Sequence, residues 1–179
     1  MANREALREL QSRLAARLQQ ARTETRVQSW LAIECAGLGL LVPLASAGEI
    51  FPLSALVPVP HTRPWFMGVA NLRGGLHGVV DLAAFLGLRP PVAADSVREQ
   101  SQLLAFNATQ AAHCAVLIDR LAGLRSAGQL RAEPESEAEH QTRRPAFAGQ
   151  QWRDTEDRLW QEIDLAALAR NEQFLAIAA

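Results

Sequence analysis

The amino-acid sequence predicts a mainly β fold, of the barrel or sandwich kind, preceded by one amphipathic helix. Three observations lead to this prediction. Short apolar runs recur from Trp30 onward, proline and glycine separate these runs, and the longest helical period lies near the N-terminus. Many short strands with frequent turn signals are typical of small barrels and sandwiches.

The first predicted element is an amphipathic helix over residues 4–22, within an N-terminal helical extension of residues 1–28. Its leucines recur at spacings of three and four and form a narrow apolar seam of Leu7, Leu10, Leu14 and Leu18. This helix could pack on its own domain, self-associate through the seam, or lie on an anionic membrane surface. We favour packing or self-association, because the seam lacks the large aromatic residues that anchor interfacial helices.

A β-hairpin is predicted after Trp30. The apolar run Leu31–Cys35 is followed by a glycine-punctuated turn over residues 36–39 and by a second apolar run, Leu40–Leu44. The later strand-like runs are Glu49–Phe51, Val57–Val59, Leu76–Leu82, Leu103–Asn107 and Cys114–Ile118.

The remaining segments are predicted from their caps and polarity. Residues 81–88 form a short helix that Asp81 caps at its N-terminus and a glycine closes. Residues 89–101 and 133–144 are loops, and the charge run of the second loop indicates an exposed surface. Residues 160–175 are a last strand that runs into a helix.

Composition and charge argue against several classes of protein. A net charge of −1 disfavours a nucleic-acid partner, which requires a basic face. All 18 basic residues are arginine, so P-loop and Schiff-base lysines are excluded. The first residues form no apolar signal segment, and no run approaches the roughly 18–20 apolar residues that span a bilayer. Cys35 and Cys114 lie in separate apolar runs, typical of buried thiols in a reducing compartment, so we expect a cytoplasmic protein.

Few residues are candidates for metal binding or catalysis. A zinc site built from His77, His113 and Cys114 is geometrically possible, but isolated histidines are far commoner. Asp81 and Asp119 each end an apolar run and could form a carboxylate pair, although capping of a turn or helix is the simpler interpretation.

The glycine-rich segment 68–78 matches neither the dinucleotide-binding fingerprint nor the P-loop spacing. Its glycines are interpreted as marking tight turns between strands. The serines lie in no Gly-x-Ser-x-Gly context, and the four tryptophans are expected in a core or an interface. The sequence therefore predicts a protein without enzymatic activity, cofactor or metal.

One motif is more specific than these patterns. Gly-Val-Ala-Asn-Leu-Arg-Gly at residues 68–74 is followed five residues later by Val-Val-Asp-Leu at residues 79–82. Together with Trp30-Leu-Ala-Ile, the segment 43–50 and Pro58-Val-Pro, this order resembles the CheW family, the adaptors that couple chemoreceptors to a histidine kinase. The later matching segments are weaker: residues 115–119, 146–149 and 163–168. The resemblance covers about residues 29–170.

Within that family the sequence is most similar to the pilus-type branch, which serves type IV pilus twitching motility. The phrase Trp65-Phe-Met-Gly-Val-Ala-Asn71 and the N-terminal extension favour this branch. One residue departs from the pattern, because many family members have proline where this chain has Gly78.

The resemblance implies a fold of two small SH3-like five-stranded β-barrels packed side by side, with a short C-terminal helix. Residues 29–179 would form this CheW-like domain of two interleaved subdomains. The implied partners are the regulatory domain of a CheA-type histidine kinase and the cytoplasmic tip of a methyl-accepting chemoreceptor. The protein would then associate with inner-membrane chemoreceptor arrays, without nucleic acid and without inserting into the membrane.

The resemblance also transfers a set of partner-binding residues by motif. Glu49 and Ile50 fall on a strand near the receptor-facing groove, and Arg73 lies in the Asn-Leu-Arg-Gly turn. Arg73 either contacts a partner or ties loop carbonyls together with its five donors. The complete set is Glu49, Ile50, Asn71, Leu72, Arg73 and Gly74.

The leading hypothesis is a non-catalytic adaptor between a chemoreceptor and a CheA-type kinase, controlling twitching motility. A scaffold of a flagellar or non-motility signalling array would have the same fold and differ only in its partners. A small ligand-binding barrel or enzyme would require a deep pocket with clustered titratable groups, which no spacing in the sequence indicates.

Overall fold

The computed structural model describes residues 28–92, 100–107, 113–134 and 144–179, and these residues form two β-sheets. The strands are β1 (Ser29–Cys35), β2 (Leu38–Pro43), β3 (Ala47–Pro52), β4 (Phe66–Leu72), β5 (Gly75–Asp81), β6 (Gln102–Phe106), β7 (Cys114–Ile118), β8 (Arg120–Ser126), β9 (Leu130–Ala132), β10 (Ala148–Asp154) and β11 (Leu159–Ile163). The short helices are α1 (Leu82–Phe85), α2 (Leu165–Leu168) and α3 (Glu172–Leu175), with a 3₁₀ turn at Ala127–Gln129.

The chain builds the two sheets in an interrupted order. It begins in the first sheet with β1 and β2, forms the whole second sheet with β3 to β7, and then returns to the first with β8 to β11. The first sheet has the order β8-β1-β2-β11-β10-β9 and the second β3-β6-β7-β5-β4. The pairs β2–β11 and β5–β7 are parallel, and the other pairs are antiparallel. The predicted mainly β fold is confirmed.

The first sheet curls around its own small core. The rings of Trp30 on β1 and Trp152 on β10 lie 5.0 Å apart, although two strands separate them in the sheet. Trp30 and Trp160 are buried with Ala32 and Leu41. Because a buried tryptophan contributes a large apolar surface, these residues hold the sheet in its curved form.

The second sheet is closed by a segment that the sequence predicted as a strand. Val57 and Val69 exchange two backbone hydrogen bonds, of 2.8 and 2.9 Å, and so attach the segment after β3 to edge strand β4. The predicted strand Val57–Val59 is wrong, since only this one bridge forms. Pro58 and Pro60 have no N–H group and cannot continue a ladder.

The largest core lies between the two sheets and is completed by the C-terminus. Ile33 and Leu40 of the first sheet meet Leu104 and Val116 of the second in one buried cluster. Phe174 of α3 enters the same cluster and packs on three further aromatic rings, those of Trp65, Phe85 and Phe106. The predicted C-terminal helix is two short helices, each begun by a side-chain cap.

Local turn chemistry explains where the predictions succeed. The β1–β2 hairpin is confirmed, and its turn residues Ala36 and Gly37 have φ values of 50° and 82°, as a type I′ turn requires. Strand β4 was not predicted because Gly68 within it and Gly74 just after it resemble turn residues. Strands β8 and β9 carry no clear apolar run.

The predicted helix over residues 4–22 and its leucine seam, together with residues 93–99 and 135–143 of the predicted loops, lie outside the described residues.

Candidate partner-binding site

The Asn-Leu-Arg-Gly motif forms the tight turn of the β4–β5 hairpin. Leu72 pairs with Gly75, so Arg73 and Gly74 are the two turn residues. Their φ values of 49° and 84° are those of a type I′ turn, which matches the twist of the flanking strands. The side-chain oxygen of Asn71 accepts a hydrogen bond of 2.8 Å from the Gly74 N–H and holds the turn in shape.

This turn directs Arg73 to Glu49. The Arg73 Nη2 and Glu49 Oε1 atoms lie 2.6 Å apart, and the two side chains are 76% and 42% exposed. Glu49 lies on β3, which is the opposite edge of the second sheet. The two residues therefore meet because the sheet curls. An ion pair this exposed contributes on the order of 0–1 kcal/mol to folding, so stability alone does not explain it.

The other predicted site residues have mainly structural positions. Leu72 is only 4% exposed and packs in the core of the second sheet. Ile50 is half-buried against the core between the sheets. The structure thus brings Glu49 and Arg73 together at the surface, uses Asn71 and Gly74 to shape the turn, and encloses most of Ile50 and Leu72.

A second feature is an open groove of about 380 Å³ between the first sheet and helix α1. Its apolar lining includes Leu38, Leu40, Phe85, Leu86, Leu88, Phe147 and Ile163. Neither Glu49 nor Ile50 is among the lining residues. No sequence pattern marked these positions, because they come from four separated segments whose apolar residues look like ordinary core residues.

The two carboxylates considered as a pair have different hydrogen-bond partners, although Arg89, which bonds Asp81, also lies 4.0 Å from an oxygen of Asp119. Asp81 is buried and caps α1, accepting a hydrogen bond of 3.2 Å from the Ala84 N–H, so the predicted cap is confirmed. Arg89 donates to both oxygens of Asp81, at 2.7 and 2.9 Å. Asp119 instead accepts a hydrogen bond of 2.6 Å from the Ala36 N–H in the β1–β2 turn.

The thiols and histidines offer little for covalent catalysis. Burial raises the pKa of Cys35 and of Cys114 to about 12, so both remain protonated thiols near neutral pH. The rings of His77 and His113 are adjacent, while Cys114 packs into the core between the sheets. Across the described ranges, no three histidine, cysteine or acidic side chains are placed to hold a metal ion together.

A charged cluster on the first sheet links three segments. Glu34 on β1 accepts hydrogen bonds from Arg120 on β8, at 2.7 and 3.0 Å, and from Arg158 before β11, at 2.7 Å. Burial alone would raise the pKa of Glu34, but the two guanidinium groups outweigh it and hold the pKa below the ordinary value of 4.5.

We expect Glu34→Gln to lower the free energy of unfolding by about 1–3 kcal/mol near neutral pH. Because the pKa of Glu34 is lower in the folded protein, its contribution is present above about pH 4.5 and is lost as the pH falls through the folded-state pKa. Urea unfolding of both proteins between about pH 7 and pH 3 measures this, and the two curves should converge in acid. The exposed Glu156→Gln variant is the control, and a constant difference at all pH values would contradict the prediction.

Comparison with known proteins extends these observations. The model of the family described as CheW-like domain matches residues 29–173. Protein PilI of Pseudomonas aeruginosa is 36% identical over 63 residues, which cover 34% of this chain and 35% of that protein. The matched segment therefore spans about a third of the length of this curated relative.

A solved structure shares the fold. The crystal structure of scaffolding protein TtCheW from Thermoanaerobacter tengcongensis superposes with a TM-score of 0.60 over 76% of this chain and 88% of that chain. At 16% sequence identity this likeness concerns the fold alone. In the described part of the chain, no helix is long and apolar enough to cross a membrane.

Proposed function

The chain belongs to the CheW-like domain family, and from this premise we propose that it couples a methyl-accepting chemoreceptor to a CheA-type histidine kinase as a non-catalytic adaptor. A CheW-like protein is a scaffold of chemosensory signalling. The observation that carries the finer proposal is the exposed Glu49–Arg73 pair, whose arginine lies on the turn formed by the most specific motif of the sequence.

The form of this pair suits protein recognition. Arginine is enriched among the residues that dominate binding energy at interfaces, because it combines a flat apolar surface with several donors. The type I′ turn and the Asn71 hydrogen bond hold the backbone of Arg73 in place. A partner therefore meets an arginine whose backbone is already ordered, so binding costs less conformational entropy at Arg73.

The groove between the first sheet and helix α1 supports the second contact. Its lining is mainly apolar and includes the partly exposed Leu38 and Leu88. A groove of this kind accepts the apolar face of an amphipathic helix. We assign it to the helical hairpin at the cytoplasmic tip of the receptor, which leaves the Glu49–Arg73 surface for the contact that assembles the kinase complex.

The signalling output is proposed from sequence similarity. The match to Protein PilI supports a chemosensory system of type IV pili and thus control of twitching motility. The protein would act on the cytoplasmic side of the inner membrane, within receptor arrays. The leucine seam of residues 4–22 remains a proposed surface for self-association.

Charge reversal at the pair tests the proposal. We expect the wild-type protein to co-sediment with a receptor cytoplasmic fragment and the kinase and to change the rate of kinase autophosphorylation. Arg73→Glu places a second negative charge beside Glu49 and removes the contact that Arg73 makes with the partner. The effect of the protein on the rate of kinase autophosphorylation should therefore fall about tenfold or more. Arg131→Glu is the matched control, because Arg131 lies on the first sheet, is 75% exposed and likewise pairs with a carboxylate, that of Asp157.

A charge swap separates two roles of the pair. If Glu49 and Arg73 serve only each other, the double variant Glu49→Arg/Arg73→Glu restores the ion pair and the coupling. If they contact a partner, the double variant stays defective while its circular dichroism spectrum matches the wild type. Wild-type protein that binds neither receptor nor kinase would contradict the function itself.

A further inference from the structure

His77 and His113 are placed side by side by the parallel pairing of β5 and β7. Gly78 is the register partner of Cys114, and the Gly78 N–H donates a hydrogen bond of 3.0 Å to the His113 carbonyl. Each histidine directly precedes one member of this pair. Because side chains alternate along a strand, both rings lie on the same face, the face that also carries Val79 and Ala115.

The two rings are in edge-to-face contact, and their separation is close to that of two ligands of one ion. Their centroids are 5.7 Å apart, and their planes are inclined by 82°. A metal–nitrogen distance of about 2.0–2.1 Å places an imidazole centroid about 3.2 Å from the ion, so two imidazoles at tetrahedral to trigonal angles have centroids about 5.2–5.5 Å apart. The observed separation differs from this range by a few tenths of an ångström, which side-chain rotation accommodates.

The backbone also selects the nitrogen that would bind. Nδ1 of His77 lies 3.0 Å from the carbonyl oxygen of Gly75. A carbonyl oxygen only accepts, so Nδ1 carries the hydrogen and the lone pair of the neutral ring is on Nε2. A second hydrogen bond of this kind orients metal-ligating histidines in known sites.

We propose that His77 and His113 form a two-histidine site for a divalent transition-metal ion of the zinc, nickel or copper class. Imidazole nitrogen suits these ions, whereas calcium and magnesium take oxygen ligands. Among the described residues no third histidine, cysteine or acidic side chain joins the pair, so water completes the coordination shell. The bound ion links β5 to β7 close to the turn that carries Arg73.

Zinc titration of the full chain without an affinity tag tests the site. We expect Zn²⁺ alone to bind by calorimetry and to raise the melting temperature, since a ligand of the folded state stabilises it. His77→Gln and His113→Gln should each weaken binding about tenfold or more, and the double variant should abolish it. His140→Gln is the control, because it removes one imidazole and leaves the pair intact.

A spectroscopic measurement identifies the ligands independently of stability. With Cu²⁺ as the probe, electron paramagnetic resonance should report two imidazole nitrogens in the wild type and in His140→Gln, and one in either single variant. The proposal is wrong if the double variant binds zinc as the wild type does, if His140→Gln removes binding, or if zinc leaves the melting temperature of the wild type unchanged.

Discussion

Arg89→Leu is expected to lower the free energy of unfolding by about 3–5 kcal/mol. Arg89 donates to both carboxylate oxygens of Asp81, whose side chain is only 1% exposed. Removing the guanidinium leaves a carboxylate enclosed by protein without its counter-charge, and the remaining hydrogen bond from the Ala84 N–H does not replace it. Urea unfolding followed by circular dichroism measures the loss.

A second substitution distinguishes the cost of the unpaired Asp81 carboxylate from the cost of the packing lost with the Arg89 side chain. In the double variant Asp81→Asn/Arg89→Leu the asparagine is neutral and still caps α1, so a large part of the stability should return. Arg131→Leu, which removes an exposed arginine paired with Asp157, should change the stability by no more than about 1 kcal/mol. If Arg89→Leu and Arg131→Leu lower the free energy of unfolding equally, the buried pair contributes no more to stability than an exposed pair.

Gly68→Ala is expected to have an effect of similar size, about 3–5 kcal/mol. Gly68 has a φ of +125°, a conformation that residues with a side chain rarely adopt. A Cβ atom there would lie 2.3 Å from the carbonyl oxygen of Val57, which is backbone and cannot rotate away. The alanine would therefore displace the segment that closes the second sheet and break its hydrogen bonds to Val69.

The matched control for this prediction is Gly128→Ala. Gly128 lies in the 3₁₀ turn before β9, and a Cβ atom at this position meets nothing within 4 Å. Its free energy of unfolding should stay within about 0.5 kcal/mol of the wild type. If both alanine variants unfold at the same urea concentration, the close contact with Val57 does not stabilise the fold.

Local patterns and a family motif identify only part of the candidate site. The motif located the turn that carries Arg73, and the resemblance of residues 43–50 to the family placed Glu49 in the same set of residues. It also included Leu72, which is buried, because a motif does not distinguish residues that shape a site from residues that bind. The lining of the groove was not predicted, since Leu38, Phe85 and Phe147 become neighbours only when helix α1 packs against the first sheet.

The amino-acid sequence alone was enough for the mainly β class, the β1–β2 hairpin, the Asp81 cap and the family. These features depend on residues close in the chain, where φ preferences, side-chain alternation and caps act. The Glu49–Arg73 pair, the closure at Gly68 and the adjacency of His77 and His113 depended on the tertiary structure. They arise from the register and curvature of strands distant in sequence, and no local preference specifies which distant strands become neighbours.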